Sequence, residues 1–446
     1  MATFVERAAR RLDRPALRRA DSAIGCEQPV PSAAPSAPGA DHLFPENGDT
    51  APILLLEPDP LEYAHRAVAA LAAGQDVFLG NPHWTPAETA TADTLRRATP
   101  PPAPPATGRM MIATGGSSGA MRFAIHTADT LTAAADALCA RLGGGPINSL
   151  CLLPLYHVSG FQQLVRALAT DGELWLGDWA GLAAGRRPEI PDTGNWTLSL
   201  VPVQLQRLFA DPAARTWLRS FTTILLGGAP ASPALLEQVR TARLPLATAY
   251  GATETAAVFA LQSPADFLAG VTGLLPLPHA AIRILDPETG QPVAPGALGR
   301  VEVLASSLFL GYWPELRPSG AWLTDDLGTL SADGRLHLLG RADAAINTGG
   351  EKVHPAEVEA ALRATGAFSE VVVLGVADAR WGEGVAALFS ASDRPDLAVV
   401  ERQLRLHLSA HKLPRRWVPV ADWPRTAQGK TDRAALRRLV GSDSAE

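Results

Sequence analysis

The sequence predicts an α/β protein: a large N-terminal α/β domain with layered sheets, a small β-barrel-like subdomain and a C-terminal α+β lobe. The main observation is an alternation of apolar strand-like runs with amphipathic helices between residues 110 and 226. That alternation is the pattern of α/β layers around a largely parallel sheet. From 282 to 310 the text changes. Short runs at 281–284 and 299–304 are divided by turn signals at 286–290 and 295–296, as in a small antiparallel barrel or sheet. Beyond Asp343 a helix at 355–363, a strand at 370–376 and a helix at 399–408 suggest a separate lobe. The expected division is 1–342 and 343–446, with the β-rich subdomain at about 281–342.

Chain size fits this division. The 446 residues are enough for two to three domains at about 150 residues each. Hydrophobic residues make up 47%, ample for real cores. No apolar run reaches the ~18 residues of a membrane span. A net charge of -6 gives no electrostatic reason to expect nucleic acid. The 3 cysteines (Cys26, Cys139 and Cys151) lack metal-ligand spacing and are too few for a disulfide framework, so a reducing cytoplasm is expected. Arg7, Arg10, Arg11, Arg14, Arg18 and Arg19 crowd the start. Glu6 and Asp13 interrupt them, whereas transit peptides are poor in acids, so a solvated helix face is expected.

The elements follow in order. Residues 26–50 are rich in Pro, Ala and Gly and read as irregular. Strands are expected at 53–57 and 78–81 around a helix at 63–73, and the proline-rich stretch 100–105 reads as a linker. Residues 110–113 form a strand, a Gly/Ser loop follows, and alternation over 122–127 marks another strand. Asp129 is the expected cap of a helix that ends at Gly143. Further strands are expected at 150–153, 198–201 and 223–226.

The loop is the first chemical signal. It sits in MIATGGSSGAMRFAIHT, 111–127. Backbone N–H groups of a tight Gly/Ser turn converge on anions, and hydroxyls add donors. Thr114, Gly115, Gly116, Ser117, Ser118 and Gly119 are therefore candidate phosphate ligands. No Gly-Lys-Ser/Thr ends the loop, so it is not a Walker loop. Residues 115–119 also match the G-x-S-x-G nucleophile elbow of serine hydrolases, with Ser117 as nucleophile. That elbow needs a helix directly after the serine, and here a strand is expected.

Further segments follow in fixed order: PLYHVSG (154–160), LLGGAP (225–230), YGATET (250–255), LTDDLG (323–328), GRADAAINTGGEKVHPAEVE (340–359) and PRTAQGKTDR (424–433). Together with the loop they resemble the adenylate-forming superfamily of acyl- and aryl-CoA ligases, luciferases and peptide-synthetase adenylation domains, over about residues 108–440. The resemblance implies two half-reactions. A carboxylate attacks the α-phosphate of ATP to give an acyl-adenylate, and a thiol then displaces AMP. ATP, Mg²⁺ and CoA are the implied cofactors and co-substrates.

The same resemblance implies roles by position. The loop would hold the β- and γ-phosphates. Arg122 stands where the family usually has lysine and keeps the charge on a bulkier, forked group. Gly228, Ala229 and Pro230 would flank adenine. Tyr250 and Gly251 would line adenine, and Ala252 the acyl pocket. Thr253 would approach the α-phosphate, and Glu254 would coordinate Mg²⁺, which favours carboxylate and phosphate oxygens. Asp326 would accept hydrogen bonds from the ribose hydroxyls. Asp325 replaces the usual glycine before it. Arg341 would contact ribose or phosphate. Asp343 would be the hinge of a mobile C-terminal lobe. Gly349, Gly350 and Glu351 would serve the thioester step. Lys430 would bridge carboxylate and α-phosphate as charge builds in the transition state.

Within the superfamily, GGSSGAMRFAIHT, PLYHVSGFQQLVRAL and the short region before the loop look most like the branch that activates 2-succinylbenzoate for menaquinone and phylloquinone synthesis. The expected partner is thus a small aromatic dicarboxylic acid. One carboxylate is activated while the other is held. His157 is a candidate gate, and Gln162, Gln163 and Arg166 are candidate contacts to the second carboxylate, which suits a bidentate arginine. No carrier domain is expected after Arg433, so any transfer to a carrier protein would be in trans.

Overall fold

The computed structural model describes residues 17–20, 52–99, 108–115, 121–342, 346–348, 351–378, 380–426 and 431–442. The irregular segment 26–50 and the proline-rich stretch 100–105 fall outside them.

In chain order the first strands are β1 (Leu17–Arg19), β2 (Ile53–Leu55), β3 (Val77–Leu79), β4 (Met110–Gly115), β5 (Met121–His126), β6 (Ile147–Cys151), β7 (Leu174–Leu176), β8 (Asn195–Leu200), β9 (Thr223–Leu226), β10 (Leu246–Ala252), β11 (Ala257–Gln262) and β12 (Leu275–Pro276). They build two sheets. The larger runs β1-β7-β6-β8-β9-β10-β11-β12. Its strands are parallel from β1 to β10, and β11 and β12 return antiparallel. The smaller runs β2-β3-β4-β5. Its β5 is antiparallel to β4.

Helices Pro60–Ala72, Ala128–Arg141 and Val158–Ala169 fill the space between the sheets. The period of two along β4 shows the layering. Met110 and Ile112 join Phe161, Leu164 and Leu168 in the inter-sheet core. Met111 points the other way and packs with Phe78, Phe123, Ile125 and Trp313. Burial of such residues contributes roughly 1.5–3 kcal/mol each, so this register has no close competitor. The helix Ala128–Arg141 is capped by Thr127, not Asp129. Thr127 and Thr130 exchange backbone-to-hydroxyl bonds, while Asp129 lies in the first turn. A β-region residue with a hydroxyl one step before the first turn suits the cap position.

The arginine-rich start departs from the expected helix face where it is described. Leu17 is buried and β1 extends the large sheet beside β7. Arg19 lies on that strand and pairs with Asp59, itself the N-cap of the next helix.

Four strands follow: β13 (Ala280–Leu285), β14 (Gly299–Ala305), β15 (Trp322–Leu330) and β16 (Leu336–Arg341). They form an open antiparallel meander in sequence order, not a barrel. Four strands enclose too little volume to close around their own side chains. Instead Ile282, Ile284, Val301, Val303 and Leu336 pack on Phe259 of β11.

The last strands are β17 (Ile346–Thr348), β18 (Glu351–Val353), β19 (Val371–Asp378), β20 (Gly382–Ser390) and β21 (Arg416–Val420). They form one five-stranded sheet with its own cores. Helix Pro355–Ala364 also approaches β16 at Gly340, where φ is 127° and a Cβ would overlap that of Ala356. Glycine alone meets both demands. No helix among the described residues is long and apolar enough to cross a membrane.

Candidate active site

Parallel sheets offer ligands the crevice beyond the carboxyl ends of their strands. Here β9 ends into Gly228, Ala229 and Pro230, which are exposed, with Gly228 at φ 81°. Its neighbour β10 ends at Tyr250, Gly251 and Ala252, with a register shift between Tyr250 and Gly251. A Cβ on Gly251 would overlap the Ala257 carbonyl, so glycine permits the close β10–β11 crossing.

Thr253 and Glu254 follow in a one-turn 3₁₀ helix, Thr253–Thr255. Ala256 and Ala257 then take φ of 51° and 74°. Positive φ costs a non-glycine residue of order 1–3 kcal/mol, and such strain clusters at functional sites. Thr255 holds the turn: its hydroxyl accepts from the Ala252 N–H at 2.9 Å and donates to the Ala257 carbonyl at 2.7 Å.

Beside this turn runs β4, which leads into the Gly/Ser loop. The loop joins β4 to antiparallel β5, with Thr114 paired to Arg122 and Gly115 to Met121. The next helix starts only at Ala128. A nucleophile elbow needs that helix at the serine, so the connection is wrong for a hydrolase. Residues Gly116, Ser117, Ser118 and Gly119 fall outside the described residues. Thr114 Oγ1 is buried and has no partner among the described residues, an orphan at the mouth of the loop. Such an orphan suits an anion or its water.

His126, at the end of β5 away from that loop, ties the strand to the Thr253 turn. Its Nε2 lies 2.7 Å from the Thr253 carbonyl, and its Nδ1 lies 3.0 Å from Thr130 Oγ1. A carbonyl only accepts, so Nε2 carries the proton. The ring is fully buried, and burial pulls its pKa down to about 4, against the opposing pull of the Thr253 carbonyl. The unfolded chain, at about 6.5, binds the proton more readily than the folded one. The contribution is therefore complete above about pH 6.5 and is lost as pH falls toward 4. About 3 kcal/mol is at stake across that window. Thermal denaturation between pH 7 and pH 4.5 should show a steep fall in Tm that His126→Gln flattens. Parallel pH profiles for parent and variant would dismiss this role.

Glu254 is buried, and its Oε1 accepts from the Tyr312 hydroxyl at 2.5 Å. Its backbone carbonyl accepts from the Phe309 N–H at 2.8 Å. The Arg122 guanidinium sits 4.3 Å from the Tyr312 ring centre. Thr114 thus pairs with Arg122 across the hairpin, and Tyr312 links Arg122 to Glu254, which follows Thr253 in the turn. Among the described residues no group of three or more His, Cys, Asp or Glu could hold a metal. A cation here would take Glu254 as protein ligand, and phosphate and water for the rest, the usual coordination of Mg²⁺ beside a nucleotide.

A second group sits beside the first. The Tyr250 phenol donates to Asp326 Oδ2, and its ring packs 4.8 Å from that of Phe259. Burial first, then the Asp326 charge, push the phenol far above its ordinary pKa, so it stays a neutral donor. Asp326 faces Arg341 across β15 and β16, with Nη1 3.8 Å from Oδ1. The unusual Asp325 is exposed and lies 2.9 Å from Arg300 and 3.3 Å from Arg341. Arg300 also donates to the Thr324 carbonyl. The extra carboxylate is therefore absorbed by two arginines at the surface, and Asp326 keeps its backbone bond to Thr324 Oγ1 at 3.0 Å.

The expected acyl-pocket residues lie on or before helix Val158–Ala169. His157 occupies its N-cap position with its ring 4.7 Å from Tyr156. Gln162 donates to the Leu131 carbonyl at 2.7 Å, and Arg166 Nε donates to the Gln162 carbonyl at 3.2 Å. Both are buried. Gln162 Oε1, Gln163 Oε1 and Arg166 Nη1 have no partner among the described residues. Burial pulls the Arg166 pKa down to about 10, so the guanidinium remains charged at neutral pH. Ala252 is half-buried at the end of β10, and Glu351 is exposed at the head of β18, opposite Thr348. Asp343, Gly349, Gly350 and Lys430 lie outside the described residues.

Sequence reasoning passed over Tyr312, His126 and Arg300. Tyr312 stands in the turn-like string LGYWP, 310–314, where an aromatic residue has no periodicity to mark it. His126 was only one more residue of an alternating strand. Their partners are distant along the chain, and only the fold brings them near.

Comparison with known proteins bears on the family. Residues 46–313 match the AMP-binding enzyme family and 357–430 match the AMP-binding enzyme C-terminal domain. A protein of Mycobacterium tuberculosis named probable 2-succinylbenzoate–CoA ligase is 33% identical over 347 residues, 74% of this chain and 85% of the relative. Indoleacetate–CoA ligase of Aromatoleum aromaticum is 33% identical over 304 residues, 65% of this chain and 59% of the relative. Among solved structures, o-succinylbenzoate CoA synthetase from Bacillus subtilis in complex with its acyl-adenylate intermediate has TM-score 0.63 and 26% identity, covering 74% of this chain and 68% of that one. The chain belongs to the AMP-binding enzyme family and, within it, to the AMP-forming acid–thiol ligases.

Proposed function

We propose that this enzyme activates 2-succinylbenzoate with ATP and transfers it to CoA in the cytoplasm, as a step of menaquinone or phylloquinone synthesis. A carboxylate oxygen attacks the α-phosphorus, the bond to pyrophosphate breaks, and the CoA sulfur then displaces AMP from the acyl carbon. The observation that carries this reading is the link from Thr114 and Arg122 through Tyr312 to Glu254, within a chain that aligns over 74% of its length with a relative of that name. Thr114, with its orphan hydroxyl, and residues 115–119 receive the β- and γ-phosphates. Arg122 adds charge, and Thr253 faces the α-phosphate. Mg²⁺ bound at Glu254 would neutralise phosphate charge as pyrophosphate departs. Asp326 takes the ribose hydroxyls, with Tyr250 orienting its carboxylate. Gly228, Ala229 and Pro230 border adenine. His157, Gln162, Arg166 and Ala252 face the acid, and the unpartnered Arg166 Nη1 supports a second carboxylate there.

The lobe from 343 onward would turn about Asp343 between the two steps. Lys430 serves adenylation, while Gly349, Gly350 and Glu351 serve thioester formation. Both loops need the same place beside the α-phosphate, which requires such a turn.

A second reading within this chemistry is another aryl acid, favoured by the equally identical indoleacetate–CoA ligase. Pyrophosphate release across 2-succinylbenzoate, indoleacetate, benzoate and fatty acids, with and without CoA, separates the two. The expected result is release with 2-succinylbenzoate at least about tenfold above the others, an increment one well-placed charged contact supplies. Silence with 2-succinylbenzoate and turnover of a monocarboxylate would sink the specific assignment while keeping the chemistry.

A further inference from the structure

Three chain segments distant in sequence meet at Tyr312. It lies on the connection between β14 and β15, which runs along β5. The Ile125 N–H donates to the Gly311 carbonyl at 2.9 Å, and the Leu310 and Trp313 N–H groups donate back to Ile125 and Phe123. The same connection is pinned to the Thr253–Thr255 turn by the Phe309–Glu254 backbone bond. The Tyr312 ring packs 4.9 Å from that of Phe309. A half-buried phenol is thereby fixed between Arg122, which lies over its ring at 4.3 Å, and Glu254 Oε1, to which its hydroxyl donates at 2.5 Å.

The geometry points to Tyr312 as a positioning residue that sets the Glu254 carboxylate for the cation and the Arg122 guanidinium for the phosphates at once. A carboxylate offers several lone pairs on two oxygens. The donated phenol bond holds Oε1 and so restricts the carboxylate, leaving Oε2 for the cation. The ring face attracts the guanidinium and narrows the positions it can sample. The sequence departure at this site, arginine in place of the family's lysine, fits the partner. A planar guanidinium stacks on a ring as an ammonium does not.

This inference rests on the proposed role of Glu254, and the experiment separates the two. Pyrophosphate release is titrated with Mg²⁺ at fixed ATP in the full-length enzyme, and MgATP binding without acid is measured by calorimetry. Glu254→Gln should raise the Mg²⁺ midpoint about tenfold, the size of one charge-assisted contact. Tyr312→Phe keeps the ring for Arg122 and removes the hydroxyl. It should raise the midpoint several-fold and weaken MgATP binding, at a Tm near that of the parent. Tyr312→Leu removes both contacts and should also raise the KM for ATP above that of the phenylalanine variant. If Tyr312→Phe leaves the midpoint and calorimetric affinity at parental values while Glu254→Gln moves them, the positioning role is wrong and the cation site stands. If Glu254→Gln moves neither, the cation site fails and the role of Tyr312 falls with it.

Discussion

Replacing Lys430 by alanine should lower acyl-adenylate formation about 100- to 1,000-fold, measured as pyrophosphate release, while thioester formation from supplied acyl-adenylate falls far less. In the adenylation step negative charge builds on the oxygens around the α-phosphorus. A fixed ammonium in a site that excludes water stabilises that charge much more than it stabilises the ground state, and one such donor is worth roughly 2.7–4 kcal/mol. The described residues on either side of Lys430 are held together. On either side of the lysine, Arg425 and Thr431 form a β-bridge, and Trp423 Nε1 donates to Thr431 Oγ1 at 3.2 Å. The Asp432 N–H donates to the Pro424 carbonyl at 2.9 Å. Ser117→Ala serves as the contrasting variant. A hydrolase would lose everything with Ser117 and nothing with Lys430. That pattern would overturn the ligase reading, though the antiparallel β4–β5 connection already speaks against it.

Glu359→Ala should destabilise the C-terminal sheet by about 3 kcal/mol, seen as faster amide exchange in β19 and β20 and a lower unfolding midpoint. Glu359 is 2% exposed on helix Pro355–Ala364. Its Oε1 accepts from the Val373 N–H at 2.9 Å and from Arg433 at 2.6 Å, and its Oε2 accepts from Arg363 at 2.9 Å. One carboxylate therefore joins this helix, β19 and the final helix, Arg433–Ser442. Truncation leaves a buried N–H and two guanidinium groups unanswered. Both arginines keep some solvent, which holds the cost to the lower end of the range for a broken buried pair. Glu359→Gln retains an acceptor for Val373 and should fall between the parent and the alanine variant. An unchanged midpoint in Glu359→Ala would show that the carboxylate is dispensable.

The site was partly legible in the chain. Thr114 stood out because a hydroxyl beside a glycine turn is a local signal, and Tyr250 and Asp326 because their short strings resemble those of the adenylate-forming superfamily. The expected barrel was less secure. Turn-punctuated short strands are equally compatible with an open meander, and only the packing of Ile282, Val301 and Val303 on Phe259 decides it. The cap at Thr127 rather than Asp129 is a similar case, since either residue suits a cap in isolation and the end of β5 sets the register. Arg19 read as part of a helix face because charge spacing shows nothing of the neighbouring strand, and β7 supplies that neighbour.

Local preference determined much by itself. The order of α/β layers, the alternation along β5 and the turns between β13 and β14 follow from side-chain size, branching, charge and backbone freedom over a few residues, while the set of ATP-directed motifs was legible through its resemblance to the adenylate-forming superfamily. What only the tertiary structure decided is which of these groups touch. His126 reaches Thr253 across 127 positions, Tyr250 reaches Asp326 across 76 and Tyr312 reaches Glu254 across 58. The physical reason is that a hydrogen bond between distant residues leaves no periodic mark in the chain. It forms only after the sheets have packed and removed its alternatives in water.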